Sequence, residues 1–299
     1  MWPDLFTIHT PNGAFPVHTW GLMITLAFLA AAGIAQGRAR AAGVDGDKLP
    51  GLYLVAFLCG LSGARLMHFT MAEPERFFGD PLVFFRFWEG GFAFYGGLLL
   101  AIAGCLTYAW VRTIPLWKLC DLCSPSIMLG LAFGRIGCFS AGCCHGAIRA
   151  VPAGAANLLS GFEGGRLWAF GQAPFLLEEP FRGVGINHQP LLPTQLWECA
   201  GALALFLILS WRWRHRRYDG QVFAWLLLLY PLLRSTIEHF RGDTIRGVDW
   251  LGFLSSSQLV SVPVFAAGLL LALLLRGRGI AAVEQRDEDE DLLEELRRG

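Results

Sequence analysis

Seven apolar stretches, each close to the length of a membrane-spanning helix, dominate this chain. They cover residues 18–36, 52–71, 92–111, 119–139, 191–211, 222–240 and 255–275. A helix needs about 20 predominantly apolar residues to cross the hydrocarbon core of a bilayer. Hydrophobic residues make up 54% of the 299 residues and charged residues only 16%, which excludes an ordinary soluble domain. The sequence therefore predicts an all-α fold, a polytopic membrane bundle of about seven transmembrane helices.

Basic residues are distributed unevenly over the loops between these stretches. The loops after the odd-numbered stretches are short and basic, and they contain Arg38, Arg40, Lys48, Arg112, Lys118, Arg212, Arg214, Arg216 and Arg217, with Arg276 and Arg278 after the last stretch. The loops after the even-numbered stretches are longer and hold fewer basic residues for their length. Because short basic loops stay in the cytoplasm, we predict an outer N-terminus and a cytoplasmic C-terminus.

Two regions lie outside the apolar stretches. The loop 147–190 is rich in glycine and proline, and the tail 279–299 is mostly acidic. The first apolar stretch lacks a preceding basic segment and a small-residue cleavage site, so we interpret it as a retained helix rather than a signal peptide. We predict one membrane domain over residues 1–278, with the loop on its outer side, followed by an acidic cytoplasmic tail. No nucleic-acid-binding pattern is present in the sequence.

Ionisable and polar residues recur inside the predicted spans. With the orientation above and a rise of about 1.5 Å per residue, one group of them falls in the outer half of the membrane: Arg65, His68, Tyr95, Arg135, Gln195, Glu198, Arg234, Glu238 and Arg241. Asp121 is the exception, at the inner end of the fourth stretch. Charged groups at membrane depth are costly, and they commonly mark substrate paths.

These charges predict a cavity with net positive potential that opens to the outer leaflet and binds an anionic lipid headgroup. Arginine suits phosphate because its planar fork bonds two oxygens and stays charged when partly desolvated. Glu238 follows Arg234 by four residues and precedes Arg241 by three, so its carboxylate can orient both guanidinium groups on one helix face. The alternative interpretation is a set of ion pairs that only hold the helices together.

Motifs along the whole chain carry a resemblance to a known family. They are His18-Thr-Trp-Gly21, Phe85-Arg-Phe-Trp-Glu-Gly-Gly-Phe-Ala-Phe-Tyr-Gly-Gly97, Gly134-Arg-Ile-Gly137 with Gly146, Pro193-Thr-Gln-Leu-Trp-Glu198, Arg234 through Glu238 to Arg241 and Asp243, and Gln258-Leu-Val-Ser-Val-Pro263. As a set, over residues 15–275, they resemble the bacterial prolipoprotein diacylglyceryl transferase family.

The resemblance implies an activity in the bacterial inner membrane, with the outer side facing the periplasm. The implied reaction moves the diacylglyceryl group of phosphatidylglycerol onto the cysteine thiol of a prolipoprotein lipobox, forms a thioether and releases glycerol phosphate. The implied partners are phosphatidylglycerol, prolipoprotein signal peptides and the bilayer. Because guanidinium groups can neutralise the phosphate oxygens, we expect no cofactor and no metal.

Site residues are carried over from the family position by position. The implied catalytic residues are Arg135, Arg234, Tyr95 and Glu238, with the two arginines on the phosphate. The implied substrate-binding residues are Arg65, Gly96, Gly97, Gly137, Cys138, Cys143, Gly146, Glu198 and Arg241. We expect Arg65 to line the cavity or organise its wall, and Gly96, Gly97 and Gly137 to allow a close approach of backbone or lipid.

Four positions depart from the family pattern. Tyr95 replaces a histidine, Cys138 an asparagine, Cys143 a glutamate, and Leu192 a second histidine. The change at Tyr95 removes the expected general base, because a tyrosine with a pKa of about 10 accepts a proton only if strongly perturbed. Tyr95 can still hydrogen-bond a phosphate or a thiol, or serve as an ordinary interfacial aromatic residue.

The cysteines support a hypothesis from a different functional class. Cys138, Cys143 and Cys144 lie at the outer end of the fourth stretch, where oxidising conditions favour disulfides and thiol exchange. A protein of this kind with a thiol redox function, or one that binds lipid or metal without transfer, would use such a cluster. Packing as small hydrophobic residues is the alternative for these cysteines, and it is our interpretation of Cys120 and Cys123.

Overall fold

A computed structural model describes residues 4–10, 13–87, 90–141, 144, 193–240 and 258–276. Within these ranges the elements are β1 Asp4–Thr10, β2 Gly13–His18, α1 Thr19–Arg38, α2 Leu49–Met71, α3 Pro74–Gly79, α4 Phe94–Val111, α5 Leu116–Ala141, α6 Thr194–Arg214, α7 Gln221–Glu238 and α8 Gln258–Arg276. The loop 147–190 and the tail 279–299, both named in the predicted domain organisation, lie outside the described residues.

Six helices of the described residues are long and apolar enough to cross a membrane. They are α1, α2 with the turn before it, α4, α5, α6 and α8. The helical multi-pass architecture predicted from the sequence is therefore present. The remaining predicted stretch, 222–240, corresponds to α7, which is 18 residues long and carries Pro231, Arg234 and Glu238. Because these residues lower its mean hydropathy, α7 is not one of the six, and a seventh span stays a prediction.

A short antiparallel hairpin precedes the helices. Strands β1 and β2 pair with Ile8 opposite Phe15 and Thr10 opposite Gly13. Apolar runs of spanning length do not reveal this hairpin, because its strands are only seven and six residues long.

Two compact units make up the chain. One contains residues 35–119, and the other contains residues 1–34 together with the chain from residue 120 onward. In the unit of residues 35–119, α2 packs against α4 through facing glycines. A Cβ atom added at Gly63 would lie 2.3 Å from the carbonyl oxygen of Gly96, and one added at Gly96 would lie 2.3 Å from the oxygen of Gly63. Only glycine permits two helix backbones to come this close.

The other unit is built around α5, α6 and α7. Ala132, Cys199 and Ala202 are buried together between α5 and α6, with Leu131 packed against them. A Cβ atom added at Gly201 of α6 would lie 2.4 Å from Cδ1 of Leu233 on α7. Small residues therefore bring the three helices close together, which allows side chains one turn away to meet.

Asp121 connects the start of α5 to the start of α7. Its carboxylate accepts hydrogen bonds from the backbone N–H groups of Gly220 and Phe223, both at 2.9 Å. The first N–H groups of a helix have no intrahelical partner, and a carboxylate is well suited to satisfy them. Gly220 has a φ of 89°, which glycine adopts without strain. Asp121, which lies away from the other charged residues of the predicted spans, therefore has a structural function as a helix cap.

Candidate active site

Four charged side chains from α5, α6 and α7 form a continuous row. Arg135 donates from Nη2 to Glu198 Oε1 at 2.8 Å, and Glu198 Oε2 lies 3.9 Å from Arg234 Nη1. Arg234 Nη2 is 2.5 Å from Glu238 Oε2, one helical turn further along α7. Positive and negative groups alternate along this row, which we call the charged cluster (Arg135, Glu198, Arg234 and Glu238). The four-residue spacing of Arg234 and Glu238 predicted their contact, and the structure contains it.

The charged cluster is buried. The Glu198 side chain is 1% exposed and that of Arg234 9%. Ala132 precedes Arg135 by three residues and Ala202 follows Glu198 by four, so the apolar contact of α5 with α6 continues directly into the cluster. Buried charges are tolerated only when paired. The pairing therefore fixes the two guanidinium groups in place.

Arg234 brings a donor to the charged cluster that the described residues do not use. Arg234 Nη1 is buried and makes no hydrogen bond to any part of the chain that the structure describes. Its 3.9 Å separation from Glu198 Oε2 is an ion pair without a hydrogen bond. Leaving a buried donor unsatisfied costs about 1–3 kcal/mol, so such a group calls for an explanation. A bound anion would supply the missing acceptor.

The net charge of the predicted cavity stays a prediction. Within the charged cluster, two arginines face two glutamates, so its formal charge is zero. Arg241, a further arginine expected at the cavity, lies outside the described residues. Glu198 contacts both Arg135 and Arg234, and Glu238 contacts Arg234, which a count of charges along the sequence does not reveal.

Arg65 is the second buried arginine, and backbone oxygens surround it. Its Nε donates to Phe84 O at 3.2 Å and its Nη2 to Val83 O at 2.7 Å and Arg86 O at 2.9 Å. Its Nη1 donates to Gly90 O and to Gly91 O. The guanidinium also lies 4.6 Å from the ring centre of Phe69.

All five N–H donors of Arg65 are thus used within residues 83–91, and the residue is 1% exposed. A guanidinium group in this state organises the segment around it and has no donor left for a lipid phosphate. Of the two functions expected for Arg65, organising the wall of a cavity fits these contacts, and direct binding of substrate does not.

Tyr95, Gly96 and Gly97 lie in the first turn of α4. Tyr95 is half exposed, and its ring meets that of Phe94 edge to face, with 5.7 Å between the ring centres. The close approach expected at the two glycines is made by α2, since Gly97 faces the oxygen of Gly60 and Gly96 that of Gly63. The packing of α4 against α2 therefore explains why glycine is needed at positions 96 and 97.

The remaining predicted residues lie in the C-terminal part of α5 or later in the chain. Gly137 faces Trp20 and Met23 of α1, each with an atom 3.2 Å from an added Cβ. Cys138 lies near the C-terminal end of α5, and Thr194 donates to the carbonyl oxygen of Cys144 at 3.1 Å. The ranges described here hold no group of three or more His, Cys, Asp or Glu side chains arranged for a metal ion. Cys143, Gly146 and Arg241 lie outside the described residues.

Sequence reasoning did not identify Gly201 as part of the site. Its contact with Leu233, the neighbour of Arg234, sets the distance between α6 and α7 at the level of the charged cluster. The sequence spacing does indicate this position, because Gly201 follows Glu198 by three residues and therefore lies on the same face of α6.

Comparison with known proteins identifies the family. A family model described as "Prolipoprotein diacylglyceryl transferase" matches residues 6–274. The chain belongs to this family. The resemblance found in its motifs is therefore confirmed over nearly the whole length.

Individual members of the prolipoprotein diacylglyceryl transferase family are similar to this chain from end to end. Proteins named phosphatidylglycerol–prolipoprotein diacylglyceryl transferase are 29% identical over 277 residues in Chromohalobacter salexigens and 31% identical over 291 residues in Burkholderia thailandensis. The alignments cover 92% and 93% of this chain and 94% and 97% of the relatives. These names describe a transferase, so the comparisons do not favour the redox or metal-binding alternative.

Proposed function

We propose that this chain transfers the diacylglyceryl group of phosphatidylglycerol to the lipobox cysteine of prolipoproteins, forming a thioether and releasing glycerol phosphate. Membership of the family and the names of its relatives support this activity. The structural observation that carries the proposal is the unbonded Nη1 of Arg234 in a buried charged cluster. An N–H donor that remains on a guanidinium group held in place by its ion pairs suits an anionic phosphate that arrives with the lipid.

Arg135 and Arg234 bind the phosphate in this proposal. The reaction breaks the bond between a glycerol carbon and a phosphate oxygen, so negative charge grows on that oxygen as the thiol attacks. Donors already fixed in place stabilise this charge without reorganisation. Glu198 and Glu238 hold the two guanidinium groups in position, and Glu198, buried at 1% exposure, bridges them.

The other predicted site residues have supporting functions in the proposal. Arg65 fixes segment 83–91, which leads into α4, and Tyr95 donates a hydrogen bond to the substrate. The glycines set helix distances, at Gly96 and Gly97 in one unit and at Gly137 in the other. For Cys138, Cys143, Gly146 and Arg241 we propose contact with the lipid or the precursor.

We place the protein in the bacterial inner membrane with seven spans, a periplasmic N-terminus and a cytoplasmic C-terminus. The six helices of spanning length and the bacterial relatives support this arrangement. In this topology residues 1–278 form the membrane domain, with loop 147–190 in the periplasm, and residues 279–299 form an acidic cytoplasmic tail. The charged cluster then faces the outer leaflet, from which it takes phosphatidylglycerol, and it meets prolipoprotein signal peptides there.

Reconstitution tests the proposed function. The full chain is placed in vesicles of phosphatidylglycerol or of phosphatidylcholine together with a synthetic lipobox peptide, and the peptide is analysed by mass spectrometry. We expect a thioether-linked diacylglyceryl adduct in phosphatidylglycerol vesicles only. Arg135→Ala and Arg234→Ala abolish the adduct while leaving membrane insertion intact. Arg76→Ala is the matched control, because Arg76 is exposed and pairs with Glu73 at the surface. A correctly folded Arg234→Ala protein with full activity would remove the phosphate-binding function.

A further inference from the structure

The proposed reaction needs a proton acceptor. A cysteine thiol has a pKa of about 8.5, so most of it is protonated at neutral pH, and only the thiolate is a strong nucleophile. The two carboxylates of the charged cluster are already ion-paired with guanidinium groups. Protonating either of them would break the row that holds Arg135 and Arg234. A base other than these two carboxylates is therefore needed, and this argument rests on the proposed function.

His239 directly follows Glu238 and caps the C-terminal end of α7. Its Nδ1 lies 2.8 Å from the carbonyl oxygen of Ser235, one turn earlier. A carbonyl oxygen can only accept a hydrogen bond, so Nδ1 carries the hydrogen in this contact. In the neutral ring, Nε2 is then the unprotonated nitrogen. The backbone of α7 thus selects the tautomer in which Nε2 is a base.

Nε2 of His239 is also accessible. The residue is exposed, and the contact with Ser235 is the hydrogen bond that the structure gives its ring within the described residues. A general base needs an accessible lone pair and an orienting partner on its other nitrogen. His239 meets both conditions.

The position of His239 suits an incoming thiol. It follows Arg234 by five residues, which is about 7.5 Å along the helix axis. Phe240 meets Trp197 of α6 edge to face, with 5.4 Å between ring centres, and Trp197 is the neighbour of Glu198. This contact holds the end of α7 against the part of α6 that carries the charged cluster. The backbone of His239 therefore lies beyond the charged cluster along the axis of α7, at the end of the helix.

We infer that His239 accepts the proton of the lipobox cysteine thiol. The S–H proton moves to Nε2, and the sulfur forms a bond to the glycerol carbon of phosphatidylglycerol. The bond from that carbon to the phosphate oxygen breaks, and its electron pair leaves with glycerol phosphate at Arg135 and Arg234. The imidazolium then returns its proton to water or to the released phosphate.

The test compares His239→Gln with His215→Gln in the full chain, using phosphatidylglycerol vesicles and the lipobox peptide. His215 is a matched control because it is exposed, ends α6, and holds its Nδ1 2.9 Å from the carbonyl oxygen of Trp211. We expect His239→Gln to lower the maximal transfer rate by about 100-fold or more, the usual contribution of a general base. Binding of phosphatidylglycerol stays unchanged, added imidazole restores part of the rate, and His215→Gln retains the wild-type rate.

The outcomes separate this inference from the proposed function. If the wild-type chain transfers no lipid, the proposed function fails and the inference fails with it. If the wild type is active and His239→Gln retains a rate within about twofold of it, the inference alone is overturned. It is also overturned if the rate of His239→Gln falls together with lipid binding, or if imidazole restores nothing, because either result indicates a structural role for His239.

Discussion

Arg65 and Arg234 are both buried arginines on helices, but their partners differ. Backbone carbonyl oxygens take all five N–H donors of Arg65. Carboxylates hold Arg234, and its Nη1 has no hydrogen bond within the described residues. The first arrangement uses the guanidinium to fix a segment of the chain. The second leaves a donor for a ligand.

This difference shows that burial alone does not identify a functional arginine. Both arginines are charged residues within predicted membrane spans, and both would therefore be candidates for a functional site. What distinguishes them is the number of donors that remain after the protein's own acceptors are counted. Of these two arginines, Arg65 should therefore contribute more to the stability of the fold, and Arg234 more to the transfer reaction.

The largest effect is expected for Glu198→Ala. This change removes the carboxylate shared by Arg135 and Arg234 and leaves two like charges in a buried site, which costs about 3–5 kcal/mol of unfolding free energy. Titration with denaturing detergent in mixed micelles measures it. Glu198→Gln keeps the shape and one acceptor and should cost less. Equal stability of the wild type and Glu198→Ala would show that the row of charges does not hold the helices.

The next largest loss of unfolding free energy is expected for Arg65→Lys. A lysine offers three N–H donors where the guanidinium offers five, so at least two carbonyl oxygens of segment 83–91 lose their partner, at a cost of about 2–4 kcal/mol. Protease digestion should then cut within this segment. The affinity for phosphatidylglycerol should stay at the wild-type value, and a loss of affinity without a loss of stability would reverse the assignment of the two arginines.

Gly63→Ala tests the packing of α2 against α4, which supports the surroundings of Arg65. The added Cβ would meet the backbone oxygen of Gly96, which has little freedom to move, so we expect a loss of about 1–3 kcal/mol from overpacking. Gly60→Ala is the matched control on the same helix, because its Cβ would meet only the Cβ of Ala101 at 3.9 Å. Unfolding in detergent should show that Gly63→Ala is less stable than Gly60→Ala. Equal stabilities would contradict the close approach of the α2 and α4 backbones at Gly63 and Gly96.

The smallest effect is expected for the exposed pair of Arg76 and Glu73. The hydrogen bond from Arg76 holds the pKa of Glu73 below its ordinary value. A lowered folded-state pKa gives stability that is present above the ordinary pKa and is lost as the pH falls through the lowered one. Arg76→Ala should raise the pKa of Glu73, as a carboxyl titration would record, without a detectable change in thermal midpoint at neutral pH. If Arg76→Ala destabilised the protein as much as Glu198→Ala does, exposed and buried ion pairs would contribute equally to stability, against our expectation.

Much of the helical architecture could be predicted from the sequence. Apolar runs predicted α1, α2, α4, α5, α6 and α8 within a few residues, because membrane helices satisfy their backbone groups internally and need only length and hydropathy. The contact of Arg234 with Glu238 followed from helical spacing. The depth assigned to each span placed Glu198 and Arg135 at a similar level, but their pairing was not predicted.

Other features depended on contacts that no local pattern encodes. The five bonds of Arg65 require the backbone of segment 83–91 to fold around it, and this fold is set by residues distant in sequence. The capping of α7 by Asp121 joins positions about a hundred residues apart. The bridging of Arg135 and Arg234 by Glu198 is likewise a contact between three helices that span depth alone does not reveal.

The transfer rate of Arg234→Lys tests the central claim most directly. The lysine keeps the positive charge beside Glu198 and Glu238 but loses the planar fork with its unbonded Nη1. If this donor binds the phosphate of phosphatidylglycerol, the rate in phosphatidylglycerol vesicles falls by about 100- to 1,000-fold, while the unfolding free energy changes less than in Arg65→Lys. A folded Arg234→Lys protein that transfers lipid at the wild-type rate would contradict the claim.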